Sequence, residues 1–136
     1  MGAGYSKRSL VEKLGIKPGY HIRLVNAPQS YEKLLGAFPD GVQMLDQSAI
    51  DLDFIHFFTV HRHELAAEFP ALARQIKPAG MLWVSWPKRA AKVETDLDEN
   101  IVREVGLASG LVDVKIAAID ETWSGLKFVV RLKDRK

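Results

Sequence analysis

The sequence predicts an α/β domain of three layers: a mostly parallel six-stranded sheet in the order 2-1-3-4-6-5, helices on both faces and an antiparallel last strand. Three observations predict it. Met81-Leu82-Trp83-Val84-Ser85-Trp86 carries no charge and has apolar atoms on both faces, as a parallel strand covered from each side requires. Apolar strand-like runs alternate with helix-period segments as far as Ile119, the pattern of parallel strands joined by right-handed crossovers. The last two runs, Val112 to Ile119 and Leu126 to Leu132, are joined only by Asp120 to Gly125, too short a connection for anything but an antiparallel pair.

In order, residues 1–8 have no period and read as a flexible N-terminus, residues 9–133 as a single domain and 134–136 as a tail. Ser9 caps a short helix from Leu10 to Leu14, which Gly15 ends. After the turn Lys17-Pro18-Gly19 comes the first strand, Tyr20 to Val25, closed by Asn26-Ala27-Pro28. A short helix from Ser30 to Leu35 leads to the second strand, Val42 to Leu45. The third, Phe54 to Val60, is apolar except for His56, which reads as a core histidine. A helix from about Arg62 to Ile76 follows, its apolar residues three and four apart, with a kink expected at Pro70. Pro78-Ala79-Gly80 turns the chain into the central strand, which Pro87 ends because it has no N–H for a ladder. Beyond a cationic loop, Lys88 to Glu94, Thr95 or Asp96 is expected to cap a helix to about Ala108, with Gly110 beyond its end. In the last strand Leu126, Phe128, Val130 and Leu132 should face inward.

With 136 residues, 47% apolar and 26% charged, the chain suits one soluble globular domain. It has no cysteine, which excludes disulfides, thiolate metal sites and cysteine nucleophiles and fits a cytoplasmic location. No apolar run approaches a membrane span, and the N-terminus has no signal-peptide core, so no membrane association is expected. Residues 1–23 and 127–136 each carry five cations and one anion, which leaves the middle with −6. The basic ends contain only Tyr5, Tyr20 and Phe128 as aromatics and no recognisable binding motif, so no nucleic-acid partner is expected.

The strand–helix order with a terminal hairpin is Rossmann-like. It is the layout of class I methyltransferases with an element missing, and Ile76-Lys77-Pro78-Ala79-Gly80-Met81-Leu82 resembles the Leu-Lys-Pro-Gly-Gly turn before a late strand of that superfamily. A closer resemblance spans most of the chain. The runs Leu24-Val25-Asn26-Ala27-Pro28, Trp83-Val84-Ser85-Trp86-Pro87-Lys88, Thr95-Asp96-Leu97-Asp98-Glu99-Asn100 and Asp120-Glu121-Thr122-Trp123-Ser124-Gly125-Leu126-Lys127 resemble the bacterial family catalogued as domain of unknown function 3052. That resemblance implies a small Rossmann-like domain with no assigned activity, and so no catalytic residues to transfer.

Open α/β sheets bind ligands at the carboxyl ends of their strands. A nucleotide or S-adenosylmethionine site at the first strand's exit needs glycines and free N–H groups. Asn26-Ala27-Pro28-Gln29-Ser30-Tyr31 has no glycine, and its proline removes a donor, so no cofactor is expected. Asp46 does lie about twenty residues on, where a ribose-binding carboxylate sits, but a lone acidic residue after a strand is more often a turn residue. The same rim gathers Asn26, Trp86, Lys88, Thr95, Asp96, Asn100, Glu121, Trp123 and Ser124. The expected site is a pocket with Trp86 and Trp123 as walls and Lys88 as anchor for a small anionic ligand. Each residue also has a plain structural use, in capping boxes, turns and core edges. His61 and His63 lack a second cluster for a metal, so none is expected. The residues favour a small-ligand-binding or regulatory module. The alternatives are a divergent methyltransferase-like transferase and a structural or oligomeric protein.

Overall fold

The computed structural model describes residues 9–135, so the flexible segment expected at 1–8 lies outside the described residues. Six strands form one sheet: β1 (His21–Val25), β2 (Gln43–Met44), β3 (Leu52–Phe58), β4 (Ile76–Pro87), β5 (Leu111–Ala118) and β6 (Trp123–Val130). Their order is β2-β1-β3-β4-β6-β5. The pairs β1–β2, β1–β3 and β3–β4 are parallel, whereas β6 runs antiparallel to both β4 and β5. This is the Rossmann-like order and direction that the sequence predicts.

Among the described residues four α-helices cover the two faces: α1 (Leu10–Leu14), α2 (Tyr31–Leu35), α3 (Arg62–Gln75) and α4 (Glu99–Ala108). The α3 and α4 face buries Leu65, Phe69, Leu72 and Val102 against Ile55, Phe57, Leu82, Val84, Trp86, Leu126 and Phe128. The α1 and α2 face buries Leu14, Tyr31 and Leu35 against Ile22, Phe54, Phe58, Met81 and Trp83. Successive residues of β4 therefore enter opposite cores, the period-2 consequence of a strand covered on both sides. Trp83 is fully buried, and its indole N–H donates to the Leu14 carbonyl at 3.0 Å, which fastens α1 to the sheet.

Four local expectations are corrected. Pro78-Ala79-Gly80 does not precede the strand but lies within β4 as a bulge. Leu52 pairs with Ile76, yet Phe54 already pairs with Met81, so Lys77 to Gly80 stand against Asp53 alone. Asp53 anchors the bulge by accepting from Lys77 Nζ and from the backbone N–H of His21, each at 2.8 Å. Gly80 is required there, because a Cβ would meet the Leu52 carbonyl oxygen at 2.7 Å. The hairpin turn is shorter than predicted, since Trp123, Ser124 and Gly125 already belong to β6. Leu132 lies beyond the strand in a 3-10 turn and is 79% exposed, not inward.

Pro70 sits inside α3, and the helix runs on to Gln75. The N-cap of α4 is Asp98, whose carboxylate accepts from the Ile101 N–H; neither Thr95 nor Asp96 caps that helix.

Candidate functional site at the carboxyl edge

The parallel strands β1, β3 and β4 end at one edge, where β5 also finishes and the antiparallel β6 begins. Here Trp86 is the cross-strand partner of Ser124 and Pro87 that of Trp123. The backbone N–H of Lys88 donates to the Thr122 carbonyl at 2.7 Å, which carries the pairing one residue past Pro87. The loop before α4 closes over this end. Thr95 Oγ1 donates to the Val60 carbonyl at 2.6 Å and accepts from the Leu97 N–H, and Asp96 accepts from the Arg62 N–H at 2.7 Å. Asp96 thus serves the first turn of α3, not the start of α4.

Between this loop, β4 and β6 lies a depression of about 660 Å³. Of the nine predicted residues, Trp86, Lys88, Thr95, Asp96 and Ser124 line it, together with Pro87, Arg89, Val93, Leu97, Asp98, Glu99 and Ile116. Sequence reasoning missed Arg89, Val93, Leu97 and Ile116. Ile116 left a signal: it is a large apolar residue on the edge strand, half exposed in the structure.

The other four predicted residues lie elsewhere. Trp123 is on the opposite face of the sheet from Trp86, edge-on to Phe58 with ring centroids 5.1 Å apart, so the two tryptophans do not wall one pocket. Asn100 is an exposed residue of the first turn of α4, its carbonyl oxygen accepting from Arg103 at 3.3 Å. Glu121 is exposed in the hairpin turn. Asn26 ends β1 with φ 59°, and its amide donates to the Phe58 carbonyl at 3.1 Å and to Glu64 at 3.4 Å. That bridge crosses the point where the strand order reverses, between β1 and β3. Thr59, 3% exposed, donates to the same Glu64 carboxylate at 2.5 Å.

The charges of the depression are unevenly committed. Asp96 and Asp98 accept from backbone N–H groups, and Glu99 pairs with Arg103. Lys88 and Arg89 make no ion pair among the described residues. At the other end of the rim, Asp46 follows β2 and accepts from the Ser48 N–H at 2.9 Å and hydroxyl at 2.7 Å, both at Oδ1. These bonds, the hydroxyl one above all, hold its carboxyl below the usual range. A smaller hollow of about 290 Å³ is lined by His61, Glu94, Thr95 and Asp96. Among the described residues no three His, Asp or Glu side chains converge as a metal set.

A buried polar chain lies beneath the rim. The Tyr31 hydroxyl is 2.9 Å from His56 Nδ1, and His56 Nε2 is 2.7 Å from Ser85 Oγ. The arrangement has the order of a nucleophile, a base and an orienting group. His56 and Ser85 are wholly buried, however, and Tyr31 is 1% exposed, so no substrate reaches them. Burial pushes the imidazole down to about 3, which keeps it neutral, and pushes the phenol up. Its role is to satisfy polar groups inside the α1 and α2 core.

The sheet order and strand directions are those of a Rossmann-like fold, one also seen in solved S-adenosylmethionine-dependent methyltransferases. A Sulfolobus solfataricus structure described as a type 11 methyltransferase superposes with a TM-score of 0.66 at 16% identity, over 93% of this chain and 92% of that one. A SAM-dependent methyltransferase from Aquifex aeolicus gives 0.58 at 17% identity, over 90% and 88%. Magnesium protoporphyrin IX methyltransferase from Synechocystis, with bound SAM, gives 0.56 at 12% identity, over 90% and 74%. At these identities the likeness is one of fold. No family model matches the chain, and no curated protein matches it. No helix of the described residues is long and apolar enough to cross a membrane.

Proposed function

We propose that this protein is a divergent transferase of the S-adenosylmethionine-dependent methyltransferase type, with the carboxyl edge of its sheet as the working rim. The observation that carries this reading is that Asn26 follows β1 and Asp46 follows the adjacent β2, at the same edge of the sheet. Asn26 takes the left-handed conformation that a glycine supplies in nucleotide-binding turns, at φ 59°. Asp46 is exposed at the position of a ribose-binding carboxylate, and both bonds from Ser48 fall on one of its oxygens. Asp46 would take the ribose hydroxyls and the Asn26 turn would border the rest of the molecule. Bound there, the cofactor supplies an electrophilic methyl group. The fit stops at Ala27 and Pro28, which bring a Cβ and a missing N–H to a turn that elsewhere uses glycine. The narrower resemblance to domain of unknown function 3052 joins this proposal and adds no activity to it.

Calorimetric titration with S-adenosylmethionine tests the reading. Binding at micromolar concentration, abolished by Asp46→Ala, supports it; no heat at millimolar cofactor removes it. The bridge from Asn26 to Phe58 and Glu64 favours a second reading, a ligand-binding or regulatory module without turnover. In that reading the switch-point crevice is closed by the protein's own side chains, and ligand enters only the depression beside Trp86.

A further inference from the structure

We propose that the depression beside Trp86 binds a small organic acid with an apolar or aromatic body, its anionic group held by Lys88, Arg89 and the indole N–H of Trp86. Trp86 is 5% exposed and lines the depression, yet its N–H has no acceptor among the described residues. The contrast with Trp83, whose N–H reaches the Leu14 carbonyl, is informative because both indoles come from one strand. Nearly every buried donor in a folded protein is satisfied by protein, water or ligand, so an orphan N–H at a cavity wall marks a place for an acceptor. Ser124, directly across the strand from Trp86, offers a hydroxyl that is also without a partner among the described residues.

Charge decides what sign that acceptor carries. Asp96 and Asp98 each accept from a backbone N–H and Glu99 pairs with Arg103, whereas Lys88 and Arg89 make no ion pair among the described residues. The uncommitted groups are therefore two cations, an N–H and a hydroxyl, a set that fits a carboxylate or a phosphate monoester. The lining also includes the apolar Val93, Leu97 and Ile116, and the exposure of Val93 and Ile116, 43% and 50%, is large for such side chains. An apolar body on the ligand would cover them. The volume lies within the roughly 300–1,000 Å³ of small-molecule sites. This inference rests on the reading of the carboxyl edge as the working rim, but not on the methyl donor.

The protein has three tryptophans, so its indole N–H region holds three NMR cross-peaks, and Trp86→Phe identifies one. Should that variant not fold, Trp123→Phe together with Trp83→Phe identifies the same peak by elimination. Salicylate and phenyl phosphate are titrated into the full chain, with uncharged salicylamide as control and no S-adenosylmethionine present. The expected result is a saturable shift of the Trp86 peak with an apparent Kd below about 1 mM for at least one of the acids. Lys88→Ala and Arg89→Ala should each weaken it about five- to tenfold with the other two indole peaks unmoved. No shift with either acid, an equal shift with salicylamide, or an undiminished shift in the Lys88→Ala/Arg89→Ala double variant overturns the inference. Failure of the cofactor titration leaves this result standing, and the reverse holds too, so the two proposals fail separately.

Discussion

His56 Nε2 and Ser85 Oγ lie 2.7 Å apart on neighbouring strands, both without solvent exposure. Burial holds the imidazole down to about 3, while in the unfolded chain it titrates near about 6.5. Between these values the unfolded chain binds a proton that the folded chain refuses, so stability falls as pH drops from about 6.5 toward 3. The limiting slope for one such group is about 1.4 kcal/mol per pH unit. Above about pH 6.5 this group contributes no slope. Urea unfolding of the wild type and His56→Gln at pH 7, 5.5 and 4.5 checks it. The difference between the two should shrink as pH falls, and a constant difference would show that His56 is charged in the fold.

Helix α4 packs tightly on the sheet at Gly106. A Cβ there would lie 2.0 Å from Cε1 of Phe128, a wholly buried ring. Alanine is intrinsically the better helix residue by about 1 kcal/mol, yet Gly106→Ala should destabilise by about 1–3 kcal/mol through overpacking. Combining it with Phe128→Leu should recover part of that loss, a coupling that denaturation of the two single variants and the double one would read. Simple additivity would mean that the helix shifts to make room.

The sheet order was legible because it rests on coarse features: uncharged runs, crossover length and the shortness of the last connection. The pocket was legible only in part, because a side chain's face depends on single-residue register. Leu126 reads as the start of the last strand since it opens the apolar alternation. The ladder in fact begins at Trp123, and its pairing sets Ser124, not Trp123, opposite Trp86. Trp123 consequently enters the other core. The bonds of Thr95 to Val60 and of Asp96 to Arg62 span 35 and 34 residues, and no local pattern announces them. The short-range signal at the same place, a capping box, points to Thr95 or Asp96, but the helix starts after Asp98. His56 was legible as a core residue from its apolar neighbours, whereas its partners Tyr31 and Ser85 come from two other elements.

Trp123 now has a stability role separate from the depression. It stands edge-on to Phe58 and is partly exposed. Trp123→Ala should cost about 1–3 kcal/mol, less than the loss of a fully buried tryptophan. Because it faces away from Trp86, the response of the Trp86 indole to salicylate should persist in Trp123→Ala. Thermal melts followed by that titration test both halves, and loss of the response in a folded variant would place Trp123 at the site after all.

Lys115 and Lys127 are cross-strand partners on β5 and β6, two cations side by side in the ladder. Lys127 is held below the usual lysine range, first by partial burial and then by Lys115 and Lys17. Its proton is thus bound less tightly in the folded chain than in the unfolded one, so stability should rise as pH increases through the depressed value toward that of an ordinary lysine. Like charges directly opposite in a sheet destabilise by about 0.2–1 kcal/mol. Lys127, the cross-strand partner of Trp83, keeps its apolar stem and loses its charge in Lys127→Met. It should therefore stabilise by about that amount at low ionic strength, where repulsion is least screened. Added salt should raise the wild type more than the variant and narrow the gap between their urea midpoints. A variant that is less stable than wild type, or a gap indifferent to salt, would mean that the two ammonium groups do not repel each other in the folded protein.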